Sequence, residues 1–329
     1  MPRRGERTRR FTESASRQAL MNANGSPARQ RMAPWPGLAR WGRFVELGKR
    51  RQRVFLFDTG TPRQDAPCVI LIHGLGDEAD TWRHLIPLLA RGNRVIAPDL
   101  PGFGRSPRAG RVSLGSCAGT IAGLLRALSA GPAILVGSSV GAVIAELAAF
   151  RDPGILRALV CIDGGLPQAP GALKLMMPMI LPFSGERIYT ALRADHNAAF
   201  TSLDPYYADL KALPQADREF LRTRVIDRVE SDTQRRAYFT LLRSLTLWDA
   251  CRRGWFRRNA AALAKPLLLA WGGEDRIIPR TTMDLIAACS PHARKVLIHG
   301  AGHLPQQERP RELAAEIESF ISSLPGTDS

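Results

Sequence analysis

Short apolar runs alternate with longer amphipathic stretches over most of this chain. The apolar runs lie at Cys68–Ile72, Arg94–Ala97, Ala133–Val136, Leu156–Ile162, Pro266–Trp271 and Arg294–Ile298. Helical patterns lie between or after them, at 80–91, 114–129, 140–151, 280–289 and 311–323. Buried strands that alternate with helices are typical of a parallel sheet covered on both faces. Because segments of 41–58 show the alternating pattern of strands, antiparallel strands should open the sheet. We predict an α/β fold with a mostly parallel, doubly wound sheet.

The pattern is interrupted between about residues 165 and 262. Helical spacing continues there, as at Leu221, Val225 and Val229, but no strand pattern is evident. The sequence therefore predicts a core, residues 34–164 and 263–325, that carries a helical cap insertion over one edge of the sheet.

The charge of the chain is strongly basic, with a formal net charge of +16. Residues 1–31 hold eight Arg against two Glu, so a net charge of +6 falls in this short segment. We interpret 1–33 as a disordered basic tail or an over-extended gene start. The remaining excess is Arg scattered along the chain, without the aromatic interleaving of a nucleic-acid groove. We expect no nucleic-acid partner and allow a weak association with an anionic membrane surface.

Cellular location and cofactors are indicated mainly by what the sequence lacks. It contains no apolar run of about 18 residues and no apolar leader segment. Its five cysteines fall in no metal-ligand spacing. We expect a cytoplasmic protein without a metal or organic cofactor, and the oligomeric state stays open.

One pentapeptide, GSSVG at 137–141, carries the strongest chemical signal. It follows an apolar strand and precedes a helix-forming stretch, which is the context of a nucleophile elbow. In such a turn Ser139 would point away from the sheet, and Gly137 and Gly141 would let strand and helix approach closely. We predict Ser139 as the nucleophile.

A serine hydroxyl needs a base to take its proton, and that base needs an acid to orient it. His303 lies in a glycine-containing loop just after the strand Arg294–Ile298, and we predict it as the base. Asp275 directly follows the strand Pro266–Ala270, and we predict it as the acid. Asp163 also ends a strand and is the alternative acid.

The oxyanion of an acyl-transfer reaction requires hydrogen-bond donors. The loop His73-Gly74-Leu75-Gly76 follows a strand and can offer the backbone N–H of Leu75, while Val140 offers a second N–H. We expect His73, Gly74 and Gly76 to support this loop.

The chain resembles the α/β-hydrolase superfamily in landmarks that occur in the same order from about residue 45 to residue 323. These landmarks are Val69–Gly74, Thr81-Trp82, Val95–Ser106, Gly137–Gly141, Gly272–Asp275 and Gly302-His303. The resemblance implies the α/β-hydrolase fold and a Ser, Asp, His order of catalytic residues. The chain looks most similar to small capped serine hydrolases of the esterase and monoacylglycerol-lipase-like kind.

The resemblance implies a serine hydrolase that cleaves carboxylic esters of a small-to-medium apolar substrate through an acyl-enzyme on Ser139. Epoxide hydrolases and haloalkane dehalogenases share the segment Asp99–Ser106 but use an aspartate nucleophile, so Ser139 argues against both. C–C bond hydrolases and cofactor-free haloperoxidases or perhydrolases are alternatives, although Gly76-Asp77-Glu78 departs from the usual C–C hydrolase pattern. A membrane-associated lipid hydrolase and a non-catalytic binding protein are further alternatives. The apolar stretch from Leu173 through Phe183 indicates either a substrate pocket or packing of the cap on the core.

Overall fold

Eight strands form a single sheet in the computed structural model, which describes residues 32–49, 51–63, 65–169, 177–181 and 183–325. The strands are β1 Gly42–Leu47, β2 Gln52–Asp58, β3 Cys68–Ile72, β4 Arg94–Pro98, β5 Ala133–Ser138, β6 Leu156–Ile162, β7 Leu267–Gly272 and β8 Arg294–Ile298. Their spatial order is β1-β2-β4-β3-β5-β6-β7-β8. β2 pairs antiparallel with both β1 and β4, and every other pair is parallel. The predicted mostly parallel α/β sheet is confirmed.

The described helices follow the strands and also fill the long connection between β6 and β7. They are α1 Leu85–Leu89, α2 Leu114–Ala127, α3 Val140–Arg151, α4 Met177–Ile180, α5 Ser184–Ala194, α6 His196–Thr201, α7 Gln215–Glu230, α8 Asp232–Ala262, α9 Thr281–Cys289, α10 Pro305–Glu308 and α11 Pro310–Ser322. The continuous helix expected over 80–91 is wrong. A 3₁₀ turn, Ala79–Trp82, is followed by the short α1, because Pro87 has no N–H to donate to the carbonyl of Arg83.

Two apolar clusters hold the sheet, one on each face. In β3, Ile70 and Ile72 belong to one cluster, whereas Val69 and Leu71 belong to the other. This is the alternation that a strand produces. All six residues of β5 are buried, as expected for a central strand of a covered parallel sheet.

The described residues between β6 and β7 form helices joined by turns and loops. Residues 177–181 and 183–262 contain α4 to α8 and no strand. α8 has 31 residues and is therefore about 46 Å long. Part of the apolar stretch predicted from Leu173 through Phe183 lies outside the described residues, and so does nearly all of the basic tail. The domain boundaries stay a prediction. Within the described ranges, no helix combines the length and hydropathy needed to cross a membrane.

Candidate active site

A cavity of about 390 Å³ opens at the carboxyl ends of the central strands. This edge is where open α/β sheets bind their ligands. One side, the strand-end wall, consists of residues 74–77, 138–140, 277–278 and 303–304. The opposite side, the helical wall, is contributed by α4 to α8 and the turns between them. Its apolar members are Met179, Ile188, Leu192, Ala199, Leu203, Pro205, Val225, Val229, Leu242 and Leu245.

Ser139 lies in the strand-end wall, in the turn between β5 and α3. Its backbone has φ +55° and ψ −121°, a left-handed conformation that is uncommon for a residue with a side chain. The turn is crowded, since a Cβ on Gly141 would lie 2.1 Å from the carbonyl oxygen of Ile72. A Cβ on Gly137 would lie 2.3 Å from the Gly141 carbonyl oxygen. Glycine at both positions lets strand and helix close around Ser139.

His303 and Asp275 are brought together from two different loops. The His303 Nδ1 lies 2.9 Å from the Asp275 Oδ2, and both side chains are almost fully buried. The other oxygen, Oδ1, accepts from the N–H groups of Ile277 at 2.7 Å and Ile278 at 3.1 Å. These contacts fix the carboxylate and leave the imidazole Nε2 as the nitrogen that can exchange a proton. Ser139 and His303 line the same cavity.

The connection between β6 and β7 also contacts the His303 loop. The N–H of His303 donates to the carbonyl of Tyr206 at 2.8 Å. The Tyr206 ring centroid lies 5.8 Å from that of the imidazole. Tyr206 follows no motif, so sequence reasoning missed it.

Asp163, the alternative acid, does not make the hydrogen bond to His303 Nδ1 that Asp275 makes. Its Oδ1 accepts from the N–H of Gly272 at 2.7 Å. Burial, together with the charge of the adjacent Asp275, raises the pKa of Asp163 well above its usual range. The structure therefore distinguishes the two carboxyl groups that the sequence left as alternatives: Asp275 contacts His303, and Asp163 contacts the backbone of Gly272.

The predicted oxyanion loop lies directly beside Ser139. A Cβ on Gly74 would be 3.3 Å from the Ser139 Cβ, and both Leu75 and Val140 line the cavity. Val140 is the first residue of α3, where a backbone N–H has no partner within the helix. His73 holds the loop from behind. It accepts from the N–H of Leu100 at 2.9 Å through Nε2, so its Nδ1 donates to the Gly74 carbonyl at 2.8 Å.

Charged groups connect this loop to α7. The Arg228 guanidinium lies 2.5 Å from Asp77 and 3.0 Å from Glu78. Burial alone would raise the pKa of Glu78, but Arg228 and Arg224 outweigh it and lower that pKa to about 2. Sequence reasoning missed these arginines, because nothing local to α7 indicates that it faces the loop.

Gly76 connects the same loop to α8. It has φ +72°, and a Cβ there would lie 3.1 Å from the Tyr238 ring. Its carbonyl accepts from the Gln234 side chain at 3.3 Å. Glycine is therefore required at this position both by its conformation and by the ring above it.

His84, His196 and His299 are not among the residues that line the cavity. His84 contacts Asp217 at 2.8 Å, and His196 contacts Glu230 at 3.3 Å. His299 is exposed. Glu274, beside Asp275, is exposed as well.

Within the described residues, one group of three side chains has potential metal-ligand atoms close together. Single ligand atoms of Asp163, Asp275 and His303 all lie within 4.8 Å of one another. Atoms of all three side chains already make hydrogen bonds within the protein: Asp275 with His303, and Asp163 with the N–H of Gly272.

Comparison with known proteins places this architecture in a family. A family model described as the alpha/beta hydrolase fold matches residues 67–310. The chain belongs to this family. Epoxide hydrolase A of Mycobacterium tuberculosis is 29% identical over 86% of this chain and 97% of its own. The pimeloyl-[acyl-carrier protein] methyl ester esterase of Edwardsiella ictaluri is 28% identical over 81% of this chain and 96% of its own.

A solved structure agrees with this assignment at the level of fold. A thermophilic esterase from Thermogutta terrifontis superposes with a TM-score of 0.69 at 23% identity, covering 86% of this chain and 99% of that one. The resemblance to the α/β-hydrolase superfamily is confirmed, and the chain is a hydrolase of this family.

Proposed function

We propose that this α/β hydrolase is a serine esterase that cleaves carboxylic esters of small-to-medium apolar substrates. The observation that carries the proposal is the position of Ser139, on a strained turn in the same cavity as the hydrogen-bonded pair His303 and Asp275. A hydroxyl, an imidazole and a buried carboxylate are the groups that acyl transfer through serine requires.

In the proposed reaction Ser139 Oγ attacks the ester carbonyl while His303 Nε2 takes its proton. Asp275 holds the imidazole through Nδ1 and stabilises the imidazolium that forms. The N–H groups of Leu75 and Val140 donate to the oxyanion. His303 then gives its proton to the leaving alcohol, and water cleaves the acyl-enzyme with His303 as base. No step requires a metal or an organic cofactor.

The substrate class follows from the cavity. Aliphatic residues from five helices form most of the helical wall, so an apolar acyl or alcohol group would be desolvated there. In this proposal the segment 165–262 acts as a cap that selects the substrate. The related pimeloyl-[acyl-carrier protein] methyl ester esterase supports ester chemistry by analogy.

The test is covalent labelling with a fluorophosphonate, combined with a panel of p-nitrophenyl esters of increasing chain length. Ser139→Ala should abolish both labelling and hydrolysis. Ser322→Ala is the matched control, because this serine is exposed at the end of α11 and does not line the cavity. Labelling without ester hydrolysis would point to the C–C hydrolase or haloperoxidase alternatives. Absence of labelling would favour a binding protein.

A membrane-associated lipid hydrolase is a second candidate, favoured by exposed apolar side chains beside the cavity. Met177, Leu181 and Phe183 are 45%, 50% and 80% exposed, and Met179 between them lines the cavity. Arg187 is exposed on the next helix and could contact anionic headgroups. Salt-sensitive sedimentation with anionic vesicles, reduced in Phe183→Ser, would support this candidate. Equal activity with and without vesicles would count against it.

A further inference from the structure

A second buried carboxyl group stands next to the proposed acid. Asp163 directly follows β6 and has φ +47°, and the residue is fully buried. Its backbone N–H donates to Ala270 of the neighbouring strand at 3.0 Å. The following residue, Gly164, packs against Ser139 so closely that a Cβ there would lie 2.3 Å from the Ser139 carbonyl oxygen. Asp163 is thus held in place by the sheet and by the turn that carries Ser139.

The two carboxyl groups differ in the donors they receive. Asp275 accepts from two backbone N–H groups and faces the His303 Nδ1, so three donors can stabilise its negative charge. Asp163 accepts from Gly272 through Oδ1, whereas its buried Oδ2 has no hydrogen-bond donor. An ionised oxygen without a donor is costly in such a place, particularly beside another carboxylate.

We propose that Asp163 is a neutral carboxylic acid whose Oδ2–H donates to the Asp275 carboxylate. Asp163 and Asp275 then share one proton and one negative charge, and each of their four carboxyl oxygens has a hydrogen-bond partner. Asp163 is a positioning residue in this arrangement: it fixes the face of Asp275 that the backbone N–H groups leave open. This inference rests on the proposed function only for its kinetic consequence, because the protonation state is a property of the fold.

Among the described residues, the titratable groups named around Asp163 are mainly acidic. Asp275 and His303 face it from the loops after β7 and β8, and Glu308 faces it from α10. Glu146 of α3 lies beside Gly165, two residues further along. The nearby charges are therefore mainly negative, which favours a retained proton. The raised pKa of Asp163, caused by burial and then by Asp275, agrees with this assignment.

The first test measures the free energy of unfolding against pH for wild type and Asp163→Asn. The amide keeps an acceptor for Gly272 and a donor for Asp275, but it cannot ionise. Native wild type would hold one proton that its unfolded chain releases. Its unfolding equilibrium constant should therefore rise about tenfold per pH unit, relative to Asp163→Asn, between about pH 5 and 8. Parallel pH profiles for the two proteins would overturn the proposal, whatever their enzymatic activity.

The second test is kinetic and spectroscopic. Asp163→Asn should keep kcat within about threefold of wild type, whereas Asp163→Ala should lose about 10- to 100-fold, as expected when a donor to a charged group is removed. The infrared difference between wild type and Asp163→Asn at neutral pH should show the C=O band of a protonated carboxyl group. Absence of that band would overturn the proposal. A Mg²⁺- or Zn²⁺-dependent rise in Tm, lost in Asp163→Asn, would also overturn it in favour of a cation between the carboxylates.

Discussion

The two walls of the cavity are built by different means. The strand-end wall consists of short turns fixed by backbone hydrogen bonds and by glycines with no room for a Cβ, as at Gly141. The helical wall consists of aliphatic side chains from separate helices, joined to the strand-end wall by ion pairs such as that of Arg228 with Asp77. Under the proposed function, one wall would set the position of the reacting groups, whereas the other would set the size of the substrate. Substitutions in the two walls should therefore have different kinetic signatures.

The largest expected effect comes from Asp275 in the strand-end wall. Asp275→Asn should lower kcat by about 10⁴-fold with little change in KM, because the amide no longer holds the imidazole in the required tautomer. Steady-state kinetics on a p-nitrophenyl ester would measure this. Glu274→Gln is the matched control, since this exposed neighbour should behave as wild type. Equal losses in the two variants would contradict the role of Asp275.

The next effect concerns the link between the walls. Arg228→Met leaves Glu78 buried with only part of its counter-charge, so the free energy of unfolding should fall by about 3 kcal/mol. Because the loop with Leu75 is released, kcat should fall as well as KM rise. Denaturant titration and kinetics would measure both. Arg235→Met, which breaks a more exposed pair with Asp232, should cost less than about 1 kcal/mol.

A smaller effect is expected within the helical wall itself. Ala199 is fully buried on α6 and lines the cavity, so Ala199→Leu places three more carbons in the substrate space. We expect kcat/KM for the longest accepted esters to fall about tenfold, while acetate esters are unaffected. Ala198→Leu, one residue away and outside the cavity lining, is the control. A uniform loss over all chain lengths would show that this wall also positions the reacting groups.

The smallest effect on catalysis is expected from the support beneath the strand-end wall, where the predicted change is in stability. Glu146 of α3 accepts from the N–H of Leu166 at 2.9 Å, and burial raises its pKa to about 8. The native protein therefore holds a proton that the unfolded chain releases above its ordinary pKa. The Glu146 contribution to stability should therefore fall by about 1.4 kcal/mol per pH unit between the ordinary pKa of a glutamate and about pH 8, and then level off; the contribution of Asp163 adds to it.

Glu146→Gln should remove this part of the pH dependence. Thermal unfolding over a pH series would show a flatter curve than wild type, while the exposed Glu318→Gln should follow wild type. If Glu146→Gln and wild type lost stability in parallel, Glu146 would be ionised in the native protein.

Much of the fold and of the strand-end wall could be predicted from the sequence. The strands could be identified because a buried parallel strand is a short apolar run, and Ser139 because its turn requires small residues at 137 and 141. Asp275 and His303 lie in the loops that follow β7 and β8, so their approach to one edge of the sheet follows from the topology. The prediction of one helix over 80–91 was wrong because it followed the apolar spacing and did not take account of Pro87. The choice between Asp275 and Asp163 required coordinates, since the two residues follow neighbouring strands.

What the sequence by itself determined was the chemistry of the strand-end wall, because turn conformations and strand ends depend on residues that are close in the chain. What only the tertiary structure decided was the helical wall and the charges that join it to the loop after β3. Arg228 and Asp77 are 151 residues apart, and no local pattern specifies their contact. The proton proposed between Asp163 and Asp275 is also decided by the tertiary structure alone, because it depends on how deeply two loops that are distant in the sequence bury each other's carboxyl groups.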